Sequence, residues 1–121
     1  MQMKALDPTL SIRQQLGEDA TPIVLVNLFT LDREDEQAFL DAWTNDAAFM
    51  KAQPGCISIQ LHRAVGANAT YFNYAVWESV AVFRAAFSAP EFAANMAHYP
   101  ASAVAAPHLF QRVAAPGICV A

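Results

Sequence analysis

Positive charge, glycine and cysteine are all scarce in this 121-residue chain, and each scarcity closes off a class of function. Seven lysines and arginines stand singly against eleven acids, for a net charge of −4. With no basic stripe to neutralise phosphates, nucleic acid is not an expected partner. Only four glycines occur and none forms a GxGxxG or a phosphate loop, so no cradle for a tightly bound nucleotide or flavin is visible. Cys56 and Cys119 stand far apart with no CxxC, which reads as two reduced thiols in a reducing compartment. His62, His98 and His108 show no HxxxH or His–carboxylate spacing, so no metal site is expected, and no serine sits in a GxSxG elbow. No apolar run approaches the roughly 18 residues of a membrane span. Met1 to Lys4 lead into Asp7, Pro8 and Arg13 rather than into the apolar block of a secretory signal, so a cytoplasmic protein is the expectation.

What is abundant is apolar surface. Apolar residues make up 55% of the chain and charged residues only 15%, against averages of about 45–50% and about 25%. One domain of this size builds its own core, so the surplus calls for a buried subunit interface, an apolar ligand pocket, or both.

The chain divides into an N-terminal arm (1–20), one domain (21–115) and a short tail (116–121). Ile23 to Leu31 is apolar on both faces, the pattern of a central strand. Five acids follow between Asp32 and Asp41; they read as residues favoured at the positive end of a helix, with Asp32 as its cap, rather than as metal ligands. The helix is expected to run to about Gln53 with Phe39, Trp43, Ala47 and Met50 as its buried stripe, and Pro54-Gly55 ends it. Cys56 to Val65 alternates as a strand with Ile57, Ile59 and Leu61 on one face. Gly66 to Ala69 turns the chain, and Thr70 to Glu78 returns. Ser79 opens a second helix carrying Val82, Phe83, Ala86 and Phe87, interrupted at Pro90. A last strand is expected over about His108 to Ala114. This β-α-β-β-α-β order is the α+β ferredoxin-like split βαβ unit. Its helix-free sheet face is also apolar, so a homodimer with facing sheets follows from the pattern.

One constellation could carry chemistry. Asn73, Ala75 and Trp77 project from the same face of a strand, and an amide beside an indole N–H could orient an aromatic ring or a polarised oxygen. On spacing alone, a tryptophan that ends a strand in the core beside a satisfied buried amide is the commoner arrangement. Phe83 and Phe87 could line a cavity next to Trp77. Proton acceptors are harder to name: His62 lies on a strand, His98 near the mouth of a plausible pocket, and Tyr74 by parity on the face opposite Asn73.

Ile23 to Phe29, the segment Pro54-Gly55-Cys56-Ile57-Ser58-Ile59-Gln60-Leu61-His62-Arg63, and Asn73 to Ser79 continuing to Phe83-Arg84 resemble the antibiotic biosynthesis monooxygenase family over about residues 22–114. The resemblance implies a dimeric α+β barrel. It implies oxidation of a phenolic or hydroquinone-type aromatic substrate to a quinone by molecular oxygen, with no cofactor. It places Asn73 and Trp77 where such enzymes hold oxygen and the oxidised intermediate. Two positions depart from the pattern: an expected tyrosine falls on Phe83, and an expected arginine falls near Asn95 or Met96. A haem-degrading branch of the same fold resembles the chain at Asn27, but its second-helix tryptophan falls on Ala86 and its haem-ligating histidine on Met96, two residues from His98. A non-catalytic dimer that binds a small hydrophobic metabolite is the other alternative.

Overall fold

The computed structural model describes residues 1–121. Short elements open the chain: strand β1 (Gln2–Met3) and helix α1 (Ile12–Gln15). Strand β2 (Ile23–Thr30) leads through a 3-10 turn into helix α2 (Glu36–Lys51), followed by strands β3 (Cys56–Arg63) and β4 (Thr70–Trp77). Helices α3 (Val80–Phe87) and α4 (Pro90–Met96) precede strand β5 (Val104–Phe110). The sheet order is β1-β5-β2-β4-β3; β2 to β5 are antiparallel to their neighbours and form the ferredoxin-like unit, and β1 adds a parallel strand at one edge. No helix is long and apolar enough to cross a membrane.

Strand parity sets which side chains face the helices. Tyr71, Asn73, Ala75 and Trp77 of β4 are buried, whereas Phe72, Tyr74 and Val76 point to the open face of the sheet. On β2, Leu25, Asn27 and Phe29 share the helix side. Ile59 and Leu61 of β3 pair with Ala75 and Asn73 and are partly buried, but Ile57 does not join them. A bulge between Cys56 and Ser58 takes Ile57 out of the alternation and leaves it 57% exposed.

Helix α2 is built from good helix formers, and its buried line is Phe39, Ala42, Asp46 and Met50. The expected stripe of Phe39, Trp43, Ala47 and Met50 is therefore rotated slightly, and a carboxylate lies on the buried side. Nor do the acids before the helix cap it through side-chain hydrogen bonds. Asp35 instead accepts the Ser102 hydroxyl at 2.6 Å, and Glu36 pairs with Arg63 at 2.7 Å. Ser79 caps α3 as expected, its side chain accepting from the Val82 N–H. Gly55 holds φ at +87°, and a Cβ there would meet Val82 Cγ2 at 2.5 Å, so the turn into β3 admits only glycine without movement of α3.

The last strand begins four residues earlier than expected, at Val104, and ends at Phe110. Its alanines are what permit this: Ala103, Ala105 and Ala106 are almost wholly buried. Pro107 is tolerated because its missing N–H would face the outer edge rather than β2. Gln2 N–H donates to Ala103 O at 3.0 Å and Lys4 N–H to Ala105 O at 2.8 Å, which marks the odd-numbered positions as edge-facing. Leu109, the edge-facing position beyond Pro107, is covered by a side chain. Gln15 Nε2 donates to Leu109 O and Gln15 Oε1 accepts from Leu109 N–H, both at 2.9 Å. The amide of Gln15 thus completes the edge as a one-residue strand would. Gln15→Ala is expected to leave that backbone pair buried without partners and to cost about 2 kcal/mol, read as a lower chemical-denaturation midpoint with an unchanged slope.

Candidate active site

The buried apolar residues form two clusters rather than one. Leu25, Met50, Ala75, Trp77 and Phe83 belong to the first; Phe29, Phe39, Tyr71, Tyr99 and Ala105 belong to the second. A cavity lies at the seam, between the helix side of the sheet and helices α2, α3 and α4. It measures about 620 Å³ with its open mouth included. Apart from the indoles of Trp43 and Trp77, only Asn27, Asp46, Asn73 and Tyr99 among the residues that line it bear a side-chain oxygen or nitrogen.

The floor is made by β2 and β4. Asn27 and Asn73 are cross-strand partners, so their side chains stand next to each other on the same face. Two residues along β4 from Asn73, the small Ala75 leaves a gap, and Trp77 closes the far side. Trp77 is fully buried and meets Phe83 edge to face at 5.4 Å; Phe83 and Phe87, then Phe87 and Phe92, continue an aromatic wall at 5.6 and 4.9 Å. Met96 of α4 lines the same space.

Four polar atoms of this cavity are unpaired. Asn27 Oδ1, Asn73 Oδ1, Trp77 Nε1 and Asp46 Oδ1 are all buried and have no hydrogen-bond partner. Only one further side-chain atom shares that condition, His108 Nδ1, outside the cavity. Native structures pair nearly all such groups, so four lining one cavity, three from the sheet and one from α2, single it out as the candidate site.

Asp46 was not singled out by the sequence reading, although a signal existed: it stands four residues from both Ala42 and Met50, on the apolar stripe of α2. Its Oδ2 accepts the Tyr99 hydroxyl at 3.0 Å, and Tyr99 is itself held against Phe29 and Phe39 at 6.3 and 5.7 Å. Burial pushes the Asp46 carboxyl up to about 6, against smaller opposing effects of the Tyr99 and Asn95 side chains. Burial and the neighbouring carboxylate push the Tyr99 phenol well above its usual range, so it serves as a donor only.

The sequence-derived candidates separate cleanly. Asn27, Asn73, Trp77, Phe83, Phe87 and Met96 converge on the cavity. His62 does not: its place in β3 pairs it with Phe72, and the two rings stack at 4.2 Å on the opposite face of the sheet. His98 does not either. It is exposed in the turn after α4, and the same turn carries the next residue, Tyr99, inward. Tyr74 lies on the open face, as its parity requires.

The raised Asp46 value has a consequence for stability. The folded state keeps this proton up to about pH 6 while the unfolded chain releases it near 3.8, so the group stabilises fully in acid and that contribution is lost as pH rises through 6. Asp46→Asn removes the buried ionisation. The variant is expected to be more stable than the parent above pH 7, by up to about 3 kcal/mol, with the gap closing below pH 4 in unfolding measured across pH.

Residues 22–97, more than half of the chain, match the antibiotic biosynthesis monooxygenase family. No curated protein sequence matches the chain. Among solved structures, SnoaB, a cofactor-independent oxygenase from Streptomyces nogalater, is similar at 28% identity and a TM-score of 0.73, over 81% of this chain and 99% of SnoaB. A protein from Shewanella loihica, provisionally a monooxygenase, is 28% identical with a TM-score of 0.67, over 82% of this chain and all of its own. A conserved protein from Methanosarcina mazei, 10% identical with a TM-score of 0.68, shares the fold over 77% of this chain and 94% of its own. The match over residues 22–97 makes this chain, with its ferredoxin-like fold, a member of the antibiotic biosynthesis monooxygenase family.

Proposed function

We propose that this protein is a cofactor-independent monooxygenase that oxidises a hydroxylated aromatic compound to a quinone with molecular oxygen. The observation that carries the reading is the set of unpaired polar atoms at Asn27, Asn73 and Trp77 in an otherwise apolar, aromatic-walled cavity. The similarity to SnoaB supports the absence of a cofactor in the reaction.

Without a cofactor, the electrons come from the substrate. An electron-rich anion, formed by loss of an acidic ring proton, passes one electron to oxygen. The substrate radical and superoxide then join through a new C–O bond to give a peroxide. Loss of the hydrogen on that carbon, with O–O cleavage, leaves a carbonyl and releases water. For an anthrone the sum is anthrone plus oxygen giving anthraquinone plus water. The protein's part is to exclude water, orient the ring and stabilise anionic oxygen.

Each residue has a matching task. The indole of Trp77, backed by Phe83 and Phe87, is a wall for the ring, and its N–H is a donor with no protein acceptor. The amides of Asn73 and Asn27 can each offer nitrogen or oxygen, so together they suit both substrate hydroxyls and a developing peroxide. Met96, which also lines the cavity, is an adaptable contact. A haem-degrading reading has less support, because no histidine lines the cavity and an iron ligand of that type is missing there.

The same reading takes two copies of the chain. Leu28, Tyr74 and Phe110 are exposed on the helix-free face of the sheet, beside Val26, Phe72 and Val76. A second copy laid on this face buries them, and light scattering on the purified protein is expected to give twice the chain mass.

The enzymatic claim is tested with metal-free protein and dithranol, a dihydroxyanthrone, in an oxygen electrode. One oxygen is expected to be consumed per quinone formed. Asn73→Ala and Trp77→Phe are expected to lower kcat about 10- to 100-fold while circular dichroism stays unchanged. Unaltered rates in both variants would move the chemistry elsewhere. A shift of the ligand spectrum without oxygen uptake would make the protein a binder of hydrophobic metabolites instead.

A further inference from the structure

We infer that Asp46 is the proton acceptor of this site, with Tyr99 as its positioning residue, a role that rests on the oxygenase reading above. Four observations lead there. Asp46 is 8% exposed, so its carboxylate is held inside the protein rather than in water. Its two oxygens have different surroundings: Oδ2 is tied by the Tyr99 hydroxyl at 3.0 Å, while Oδ1 is buried and makes no hydrogen bond, with the Asn95 side chain near the carboxylate, and the residue lines the cavity. It shares that cavity with Asn73 and Trp77, the groups assigned to the oxygen and the ring. And it has no rival. His62 and His98 lie outside the cavity, Tyr99 is locked as a donor, and no lysine, arginine, cysteine or histidine lines the space.

The remaining titratable group near the cavity is the α-amino group of Met1, whose residue packs against the Phe29 and Phe39 cluster. No ion pair joins it to Asp46, since the one salt bridge of the chain is that between Arg63 and Glu36. Asn27 and Asn73 face the cavity from the sheet, and neither carries charge.

The step balances without any further reagent. Asp46 Oδ1 takes the acidic proton of the substrate, a phenol O–H or the methylene C–H of an anthrone, and the electron pair of the broken bond stays on the ring. The carboxylate becomes a neutral acid as the substrate becomes an anion, so the cavity holds one negative charge before and after. That matters in an apolar space, where adding a net charge is costly but relocating one is not. The protonated Asp46 is then placed to return its proton to the oxygen released as water. A carboxyl held near neutrality by burial suits both directions of transfer.

The step can be observed without turnover. When protein and dithranol are mixed in the absence of oxygen, the parent protein is expected to develop the absorbance of the bound anion, and Asp46→Asn is not. With oxygen, Asp46→Asn is expected to lose at least 100-fold in kcat while KM changes little. Tyr99→Phe removes a bond that favours the ionised carboxyl, so the acidic limb of its kcat profile is expected to move to higher pH; a purely structural role would lower the rate without moving the limb. Asp46→Glu, which restores a carboxyl with a longer reach, is expected to recover part of the anion signal. Equal anion absorbance in Asp46→Asn and parent, or none in either, would overturn the assignment. If Asn73→Ala loses oxygen uptake while Asp46→Asn keeps it, the oxygenase reading stands and the base lies elsewhere. If the anion forms only with Asp46 present but no oxygen is consumed, the proton acceptor stands and the oxygenase reading fails.

Discussion

A buried polar atom left without a hydrogen-bond partner costs about 1–3 kcal/mol, more for a charge, and this small domain keeps four such atoms around one cavity. Much else in the structure accommodates that constraint. The polar band of Asn27, Asn73 and Asp46 divides what would be one core into two apolar clusters, each closed by its own aromatic contacts. On one side Trp77, Phe83, Phe87 and Phe92 run as a chain of rings; on the other Phe29, Phe39, Tyr71 and Tyr99 do the same. The apolar surplus in the composition offsets the stability that the seam gives up. Such stability given up at a functional surface is characteristic of sites that must bind something other than themselves.

A floor that carries unpaired groups has to be rigid, and the sheet edge shows how rigidity is achieved. β5 is the neighbour of β2, yet its outer edge carries a proline and would otherwise be bare. β1 pairs with its first residues, and the Gln15 amide with Leu109. The N-terminal segment is fastened further by Arg84, which donates to Leu16 O at 2.6 Å, and by Val80 N–H, which donates to Ala20 O at 3.0 Å. What reads in the sequence as an arm thus becomes the border of the sheet and a brace against α3, the helix that carries Phe83 and Phe87.

The candidate site was legible where a local rule governed it. A strand places alternate residues on one face, so Asn73, Ala75 and Trp77 could be grouped before any coordinates, and Tyr74 assigned to the other side. The rule becomes weak where the backbone departs from regularity: the bulge at Ile57 broke the parity of β3, and the alanine-rich approach to Pro107 hid the start of β5. It is silent on pairing between strands. That Asn27 stands opposite Asn73 depends on register across residues far apart in the chain.

His62, His98 and Asp46 show the difference most directly. The histidines attract attention because of their chemistry, and the structure sends one to the open sheet face and the other to an exposed turn. Asp46 sits among acids and polar residues along α2, and only its position on the buried line distinguishes it. The sequence alone determined the order of the main strands and helices, the faces of β2 and β4 and the absence of phosphate, metal and membrane patterns, because these follow from neighbours along the chain. Which polar atoms end without partners, and whether they meet in one cavity, was decided by the packing of α2, α3 and α4 on the sheet. Burial and hydrogen bonding are properties of what surrounds a side chain, and most of those surroundings come from residues distant in sequence.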